Sequence, residues 1–369
     1  MHTELFVLGP TEIEDDVRDA GSRPMRYART PEYTVFLKGI FSKLQKLFCT
    51  KDPVYVIACS GTGAMEFALQ NMNPGTETVG YVDGGNFGAR WGEIARHLGY
   101  FTECLKVKHG EALRPKALED FLNDNPDVRV MCFTHNETST GVLTDIKLMT
   151  QICHNHDVFV ICDAVSSLGV NYLMKDEMNI DVLLTSSQKA LAIPPGLGFV
   201  SMSEAARKFG ASRAKNKSFY FDAELYHKDW LRGQTPFTPA GSLLEQLDLR
   251  LDKMLSKPFG ETIQHYEDLT NVLRMGIKLL GLEIFGEEGH LSNCVTTVKA
   301  PEGVDALDIV NHLKTQYGTQ MAPCAGDDAH KYFRVGNFGN VHLYMIMHFI
   351  ENLKRTIEEV KAIDYTIQN

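Results

Sequence analysis

The chain has 369 residues, 44% hydrophobic and 23% charged, enough for about two domains and a core that needs no disulfide or metal to hold it. Its formal charge of −10, from 37 Lys+Arg against 47 Asp+Glu without a basic block, excludes the electrostatic footprint of a nucleic-acid binder. The 8 cysteines form no C-x-x-C pair, which disfavours a zinc ribbon or a thioredoxin-like site, and no apolar run approaches the roughly 20 residues of a membrane span. Most cysteines, such as Cys132 in Val-Met-Cys-Phe, read as small core residues, and the lack of a signal-peptide pattern makes a reducing cytoplasm the expected compartment.

In chain order, Val54 to Ala58 is a short β-rich run that breaks at Ser60-Gly61-Thr62-Gly63. Helical spacing follows over Ala64 to Leu69. Further strands are predicted at Glu77 to Val82, Val128 to Thr134, Asp157 to Cys162, Asp181 to Thr185 and Leu197 to Met202. The continuously apolar run Val158 to Cys162 suits a strand buried on both faces of a parallel sheet. Helices are predicted at Ala117 to Leu122 and Ile146 to His154. The last two strands are joined by a short Pro- and Gly-rich connection, too brief for a parallel crossover, so one antiparallel pair is expected. This is an α/β pattern with a mostly parallel sheet over about 50–240. From about Leu243 a long helical pattern leads to strands at Cys294 to Val298 and Tyr332 to Val335, then to a closing helix from about Val341 to Ile363. That part reads as a smaller α+β domain.

Ligands of open α/β sheets bind beyond the carboxyl ends of the strands. Ser60 to Gly63, between a strand and a helix, is either an ordinary tight turn or a phosphate cradle. It is not a P-loop, because G-x-x-x-x-G-K-[ST] is absent. Asp163, after the most apolar strand, is either a helix cap or a ligand contact. Lys189 follows the next strand in Ser-Ser-Gln-Lys-Ala and is either a solvated lysine or a nucleophile with a lowered pKa. Phe87 is either a core residue or a flat face for a ring. Taken together, a phosphate cradle, an anion and an amine meet the needs of pyridoxal phosphate: donors for its phosphate, a carboxylate for its pyridinium nitrogen, a lysine for its aldehyde.

Several blocks in order resemble the class V aminotransferases, in particular the alanine–glyoxylate / serine–pyruvate branch. They are Ser60 to Glu66, Asn136 to Gly141, Asp163 to Ser167, Ser187 to Leu191, Pro194 to Val200, Gly233 to Ala240 and Phe333 to Asn337. Leu8-Gly9-Pro10 and Arg29-Thr30-Pro31-Glu32 match the N-terminal region of that family. The resemblance implies fold type I of the pyridoxal-phosphate enzymes, with a mostly parallel seven-stranded sheet in the large domain. It also implies a homodimer with shared active sites. The large domain is expected over 20–245, and a discontinuous small domain over 1–19 and 246–369.

Carried over by motif, Lys189 is implied to form the Schiff base and Asp163 to pair with the pyridinium nitrogen. Val165 and Phe87 are implied to cover the two ring faces. Gly61, Thr62, Gly63 and Gln188 are implied to hold the phosphate, and Thr138 to contact the ring hydroxyl region. Either Thr235 or Thr238 would reach the phosphate of the neighbouring subunit. Arg334 would grip the substrate carboxylate, and the Gly9 backbone would approach the substrate. No metal is implied.

The implied reaction is ping-pong transamination from a small amino acid (alanine or serine) to a small 2-oxo acid (glyoxylate or pyruvate). One alternative is 2-aminoethylphosphonate–pyruvate transamination, for which Arg23, Arg26 and Arg29 would be anion ligands; otherwise they form a solvated basic loop. The other is cysteine desulfuration through Cys324. Asp327 and Asp328 disfavour it, because they would raise the thiol pKa.

Overall fold

The computed structural model describes residues 4–72, 75–213 and 218–367. The six strand candidates between 54 and 202 lie in one sheet: β1 (Val54–Ile57), β2 (Thr78–Asp83), β4 (Val128–Thr134), β5 (Phe159–Asp163), β6 (Val182–Ser186) and β7 (Gly198–Met202). A seventh, β3 (Phe101–Lys106), completes the order β1-β7-β6-β5-β4-β2-β3. The strands from β6 to β3 run parallel. β7 is antiparallel to both of its neighbours, β6 and β1, as the short Pro/Gly connection requires. The sequence patterning gave no sign of β3. It is an edge strand with no fully buried residue, and its Glu103 and Lys106 are the kind of charges that protect an edge.

Neighbouring residues along the central strands feed two separate apolar layers, because side chains alternate between faces. Met131, Phe133, Cys162, Leu183 and Phe199 pack with Leu37, Leu44 and Phe48 on one face. Val130, Ile161, Leu184 and Val200 pack with Phe67, Leu69 and Trp91 on the other. Helix Pro31–Phe48 begins sharply because Pro31 takes its first position and the Thr30 hydroxyl caps the Tyr33 N–H at 3.1 Å.

The C-terminal part builds a second sheet in the order β8 (Ile284–Phe285), β9 (Val295–Lys299), β11 (Tyr332–Gly336), β10 (Ala322–Pro323). Helices Phe259–Leu279, Ala306–Tyr317 and Leu343–Ile367 accompany it. Its core joins Leu273, Val295, Phe333 and Phe349 to Phe6 and Leu8 from the chain start. Strand Glu4–Leu5 pairs in parallel with Thr319–Gln320. Helix Gly241–Met254 runs across the expected boundary at 245/246, and its Leu244, Leu247 and Leu251 enter the large-sheet core. Among the described residues no helix is long and apolar enough to cross a membrane.

Candidate active site

Three strand ends converge. After β1, the helix Gly61–Asn71 starts with Ser60 as cap, its hydroxyl accepting from the Gly63 N–H at 3.4 Å. No acceptor within the described chain reaches the N–H groups of Gly61 and Thr62, which leaves two donors at the positive end of the helix. Side chains at 61 and 63 are precluded by close packing. A Cβ on Gly61 would stand 2.9 Å from Val165 Cγ2, and one on Gly63 2.7 Å from Cys59 Cβ.

Asp163 ends β5 and is only 4% exposed. Its Oδ1 accepts from the Val165 N–H at 2.8 Å, and burial pushes its carboxyl up to about 6. Lys189 follows β6 in a loop closed by Ser187, whose hydroxyl donates to the Pro194 carbonyl at 2.8 Å. Burial pulls the Lys189 ammonium down to about 8, with the Arg334 and Arg90 charges acting in the same direction and Asp163 opposing. Its Nζ donates to the Leu8 carbonyl. Gly9 has φ +109, and a Cβ there would lie 2.8 Å from Lys189 Cδ, so the backbone at 9 sits directly against the lysine stem.

Arg334, on β11, reaches the site from the other sheet. Its Nη1 donates to the Thr138 carbonyl at 3.2 Å and its Nη2 to the Pro323 carbonyl at 2.6 Å, while its buried Nε has no partner among the described residues. Thr138 is buried, with its hydroxyl 3.1 Å from that of Ser166. Phe87 opens the helix Asn86–His97. The buried Gln188 Oε1 and Ser186 Oγ also lack partners among the described residues.

These unpartnered groups suit pyridoxal phosphate. Free N–H donors at a helix start match its phosphate, a buried carboxylate matches its protonated ring nitrogen, and a lysine of lowered pKa matches its aldehyde. Fold and donor set together define a pyridoxal-phosphate enzyme of fold type I.

The family described as aminotransferase class-V matches residues 21–323. An uncharacterized aminotransferase of Methanocaldococcus jannaschii is 33% identical over 336 residues, covering 91% of this chain and 87% of that protein. A serine–glyoxylate aminotransferase of Arabidopsis thaliana is 29% identical, covering 96% of this chain and 90% of that one. The crystal structure of ureidoglycine–glyoxylate aminotransferase from Bacillus subtilis aligns with TM-score 0.94 at 25% identity, covering 98% of this chain and 94% of that one. The chain belongs to the class V aminotransferase family and is a pyridoxal-phosphate-dependent transaminase.

Thr235 is buried and spends its hydroxyl on the Phe237 carbonyl at 2.8 Å, whereas Thr238 is exposed. The three N-terminal arginines are neither a free anion site nor a purely solvated loop. Arg26 and Arg23 pair with the buried Glu245 at 2.7 and 3.6 Å, and Arg29 donates to Gln234 Oε1 at 3.1 Å. Cys324 is half-buried, with Sγ 4.0 Å from the Ser139 carbonyl. Burial raises its thiol, Arg334 opposes and Asp328 reinforces. The side chain of Asp327 lies outside the described residues.

Two charged residues at the site escaped the motif reading. Arg90 lies over the Phe87 ring at 4.9 Å, with Nη1 3.4 Å from Thr62 Oγ1. Glu137, 7% exposed, binds the start of the Phe87 helix. Helical spacing could have placed Arg90 beside Phe87, three residues earlier. Nothing local announces the contact of Glu137 with Gly88.

Proposed function

We propose that the enzyme transfers the amino group of a small amino acid, serine or alanine, to a small 2-oxo acid, glyoxylate or pyruvate. The observation that carries this reading is the half-buried Arg334, whose buried Nε has no partner among the described residues and whose Nη1 reaches the Thr138 carbonyl. A planar carboxylate completes such a fork. The glyoxylate in the names of the Arabidopsis and Bacillus proteins supports the acceptor, and serine in the first supports the donor.

Pyridoxal phosphate, when bound, supplies the electron sink that acidifies the α-proton of the amino acid. Gly61, Thr62, Gly63 and Gln188 would hold its phosphate, Asp163 would pair with its ring nitrogen, Val165 and Phe87 would cover its faces, and Thr138 would contact the ring hydroxyl region. Arg334 and the Gly9 backbone orient the substrate. Lys189 Nζ, with a pKa near the working pH, takes the proton from the substrate α-carbon. In the second half-reaction it returns a proton to the α-carbon of the new amino acid.

The enzyme acts as a homodimer in the cytoplasm. The exposed Thr238 is the hydroxyl that reaches the neighbouring phosphate, since Thr235 is already engaged. Free cysteines throughout the chain are in keeping with that compartment. Residues 20–245 form the cofactor unit and 1–19 with 246–369 the unit carrying Arg334, with helix Gly241–Met254 common to both.

The test is a panel of amino acids and 2-oxo acids added to the holoenzyme, read by loss and return of the cofactor's visible absorbance. Serine or alanine is expected to bleach it, and glyoxylate or pyruvate to restore it. Bleaching by 2-aminoethylphosphonate alone, or sulfide release from L-cysteine that is lost in Cys324→Ser, would overturn the reading. The pairing of Arg23 and Arg26 with Glu245 already speaks against the phosphonate.

A further inference from the structure

We propose that Glu137 is a positioning residue that sets the height and tilt of the Phe87 ring over the cofactor; this rests on the pyridoxal-phosphate reading of the site.

Helix Asn86–His97 starts at Gly85, which has no side chain to cap it. Its first N–H groups are capped instead by a carboxylate about fifty positions away in sequence. Glu137 Oε2 accepts from the Gly88 N–H at 2.9 Å and the Phe87 N–H at 3.1 Å. Glu137 Oε1 accepts from the Ser139 N–H at 3.1 Å and the Ser139 hydroxyl at 2.6 Å. The Ser139 Oγ in turn accepts from the Asn86 N–H at 3.3 Å. One buried carboxylate, with its serine, thus engages three consecutive N–H groups at the positive end of the helix.

The fit leaves no slack. A Cβ on Gly85 would lie 2.7 Å from Glu137 Cδ and 2.3 Å from Ser139 Oγ, and one on Gly88 would lie 2.4 Å from the Val82 carbonyl oxygen. The turn is therefore pressed between the end of β2 and the Glu137 carboxylate, and Phe87 leaves it at a defined angle. The next residue after Glu137 offers its carbonyl to Arg334 Nη1 at 3.2 Å. A shift of the 137–139 segment would thus move both the ring-covering phenylalanine and the substrate-binding arginine.

A generic stabilising role predicts a lower melting temperature and nothing specific to Phe87. A positioning role predicts coupling to Phe87. In Glu137→Gln the amide NH2 must face N–H or O–H donors on one side of the old carboxylate. The dissociation constant of the cofactor-free enzyme for pyridoxal phosphate, read by fluorescence titration, is expected to rise at least tenfold in Glu137→Gln. In a Phe87→Ala background the same change is expected to raise it less than twofold. Ser139→Ala, which removes one donor and keeps the carboxylate, is expected to show the same coupling at about threefold, and it carries the test should Glu137→Gln not fold. Equal effects with and without Phe87, or no effect on cofactor affinity, would overturn the proposal while leaving the site reading intact. A wild-type protein that fails to bind pyridoxal phosphate would overturn both.

Discussion

The ammonium of Lys189 donates to the backbone carbonyl of Leu8, 181 positions earlier in the chain. The contact joins the end of β6 to a residue whose side chain belongs to the second core. Gly9 and Thr11 reinforce it, since the Thr11 N–H donates to the Gln188 carbonyl at 3.1 Å and the Thr11 hydroxyl to the Lys189 carbonyl at 2.9 Å. The N-terminal segment is therefore a wall of the site.

Replacing Lys189 by alanine removes the amine that we propose both holds the cofactor and moves the α-proton. The variant is expected to purify without the visible absorbance of the bound cofactor and without turnover. Retention of that absorbance would show that the lysine is misassigned.

Arg334→Ala removes a charge-assisted fork whose other contacts are backbone carbonyls. The loss is expected to weaken carboxylate binding by about 1.5–3 kcal/mol, roughly ten- to a hundredfold in KM for the amino acid, with a smaller change in kcat. Arg334→Lys should recover only part of it, because a point charge cannot match two oxygens. Steady-state kinetics with the best donor checks both.

Gly9→Ala puts a methyl 2.8 Å from Lys189 Cδ at a residue with φ +109. Backbone strain of this kind costs on the order of 1–3 kcal/mol, and the lysine stem must also move. Turnover is expected to fall more than thermal stability does, which parallel rate and melting measurements would resolve.

Asp163 gives a pH signature in the cofactor-free protein. Its folded pKa of about 6 lies above the ordinary value of 3.8, so the folded chain holds this proton to higher pH than the unfolded one. Its contribution to stability is most favourable below the unfolded value and is lost as pH rises through about 6. Asp163→Asn is therefore expected to raise the melting temperature of the cofactor-free protein at pH near 8 and to leave it nearly unchanged at pH near 4. In the holoenzyme the same change should abolish turnover, since an amide cannot keep the ring nitrogen protonated. A cofactor-free variant no more stable than wild type at the higher pH would refute the burial argument.

The two threonines of the 235–238 segment separate by experiment. Thr235→Ala loses the hydrogen bond to the Phe237 carbonyl and is expected to cost about 1 kcal/mol of stability, with cofactor affinity held. Thr238→Ala is expected to weaken cofactor retention several-fold with little effect on melting. Dialysis against cofactor-free buffer distinguishes them, and the opposite pattern would assign the neighbouring phosphate to Thr235.

Apolar runs such as Val158 to Cys162 revealed the buried strands, and the small polar residues that follow them revealed Asp163 and Lys189. Both signals are local. β3 stayed hidden because an edge strand has little apolar surface to bury, so Phe-Thr-Glu-Cys-Leu-Lys carries no clear period. Glu137 stayed hidden because its contact with Gly88 is not encoded in sequence spacing, and spacing places Arg90 beside Phe87 but does not announce its reach to Thr62. The arginines near the N-terminus read as unpartnered cations for the same reason: the carboxylate partner of Arg23 and Arg26 is Glu245, on a distant helix, and Arg29 donates to Gln234.

The antiparallel strand β7 has a consequence for how the enzyme is made. β1 pairs with β7 alone, Ile57 opposite Gly198, so the earliest strand of the sheet waits on a ribosome for the latest. The turn at Ser60 leaves β1, and the loop of Lys189 lies between β6 and β7. The Ser60 turn has no anchor in the sheet until β7 has emerged, although β6 already pairs with β5, and such distant pairing is slow to form. Nascent chains shorter than that can carry Gly61, Thr62 and Lys189 and still have no place to keep the vitamin.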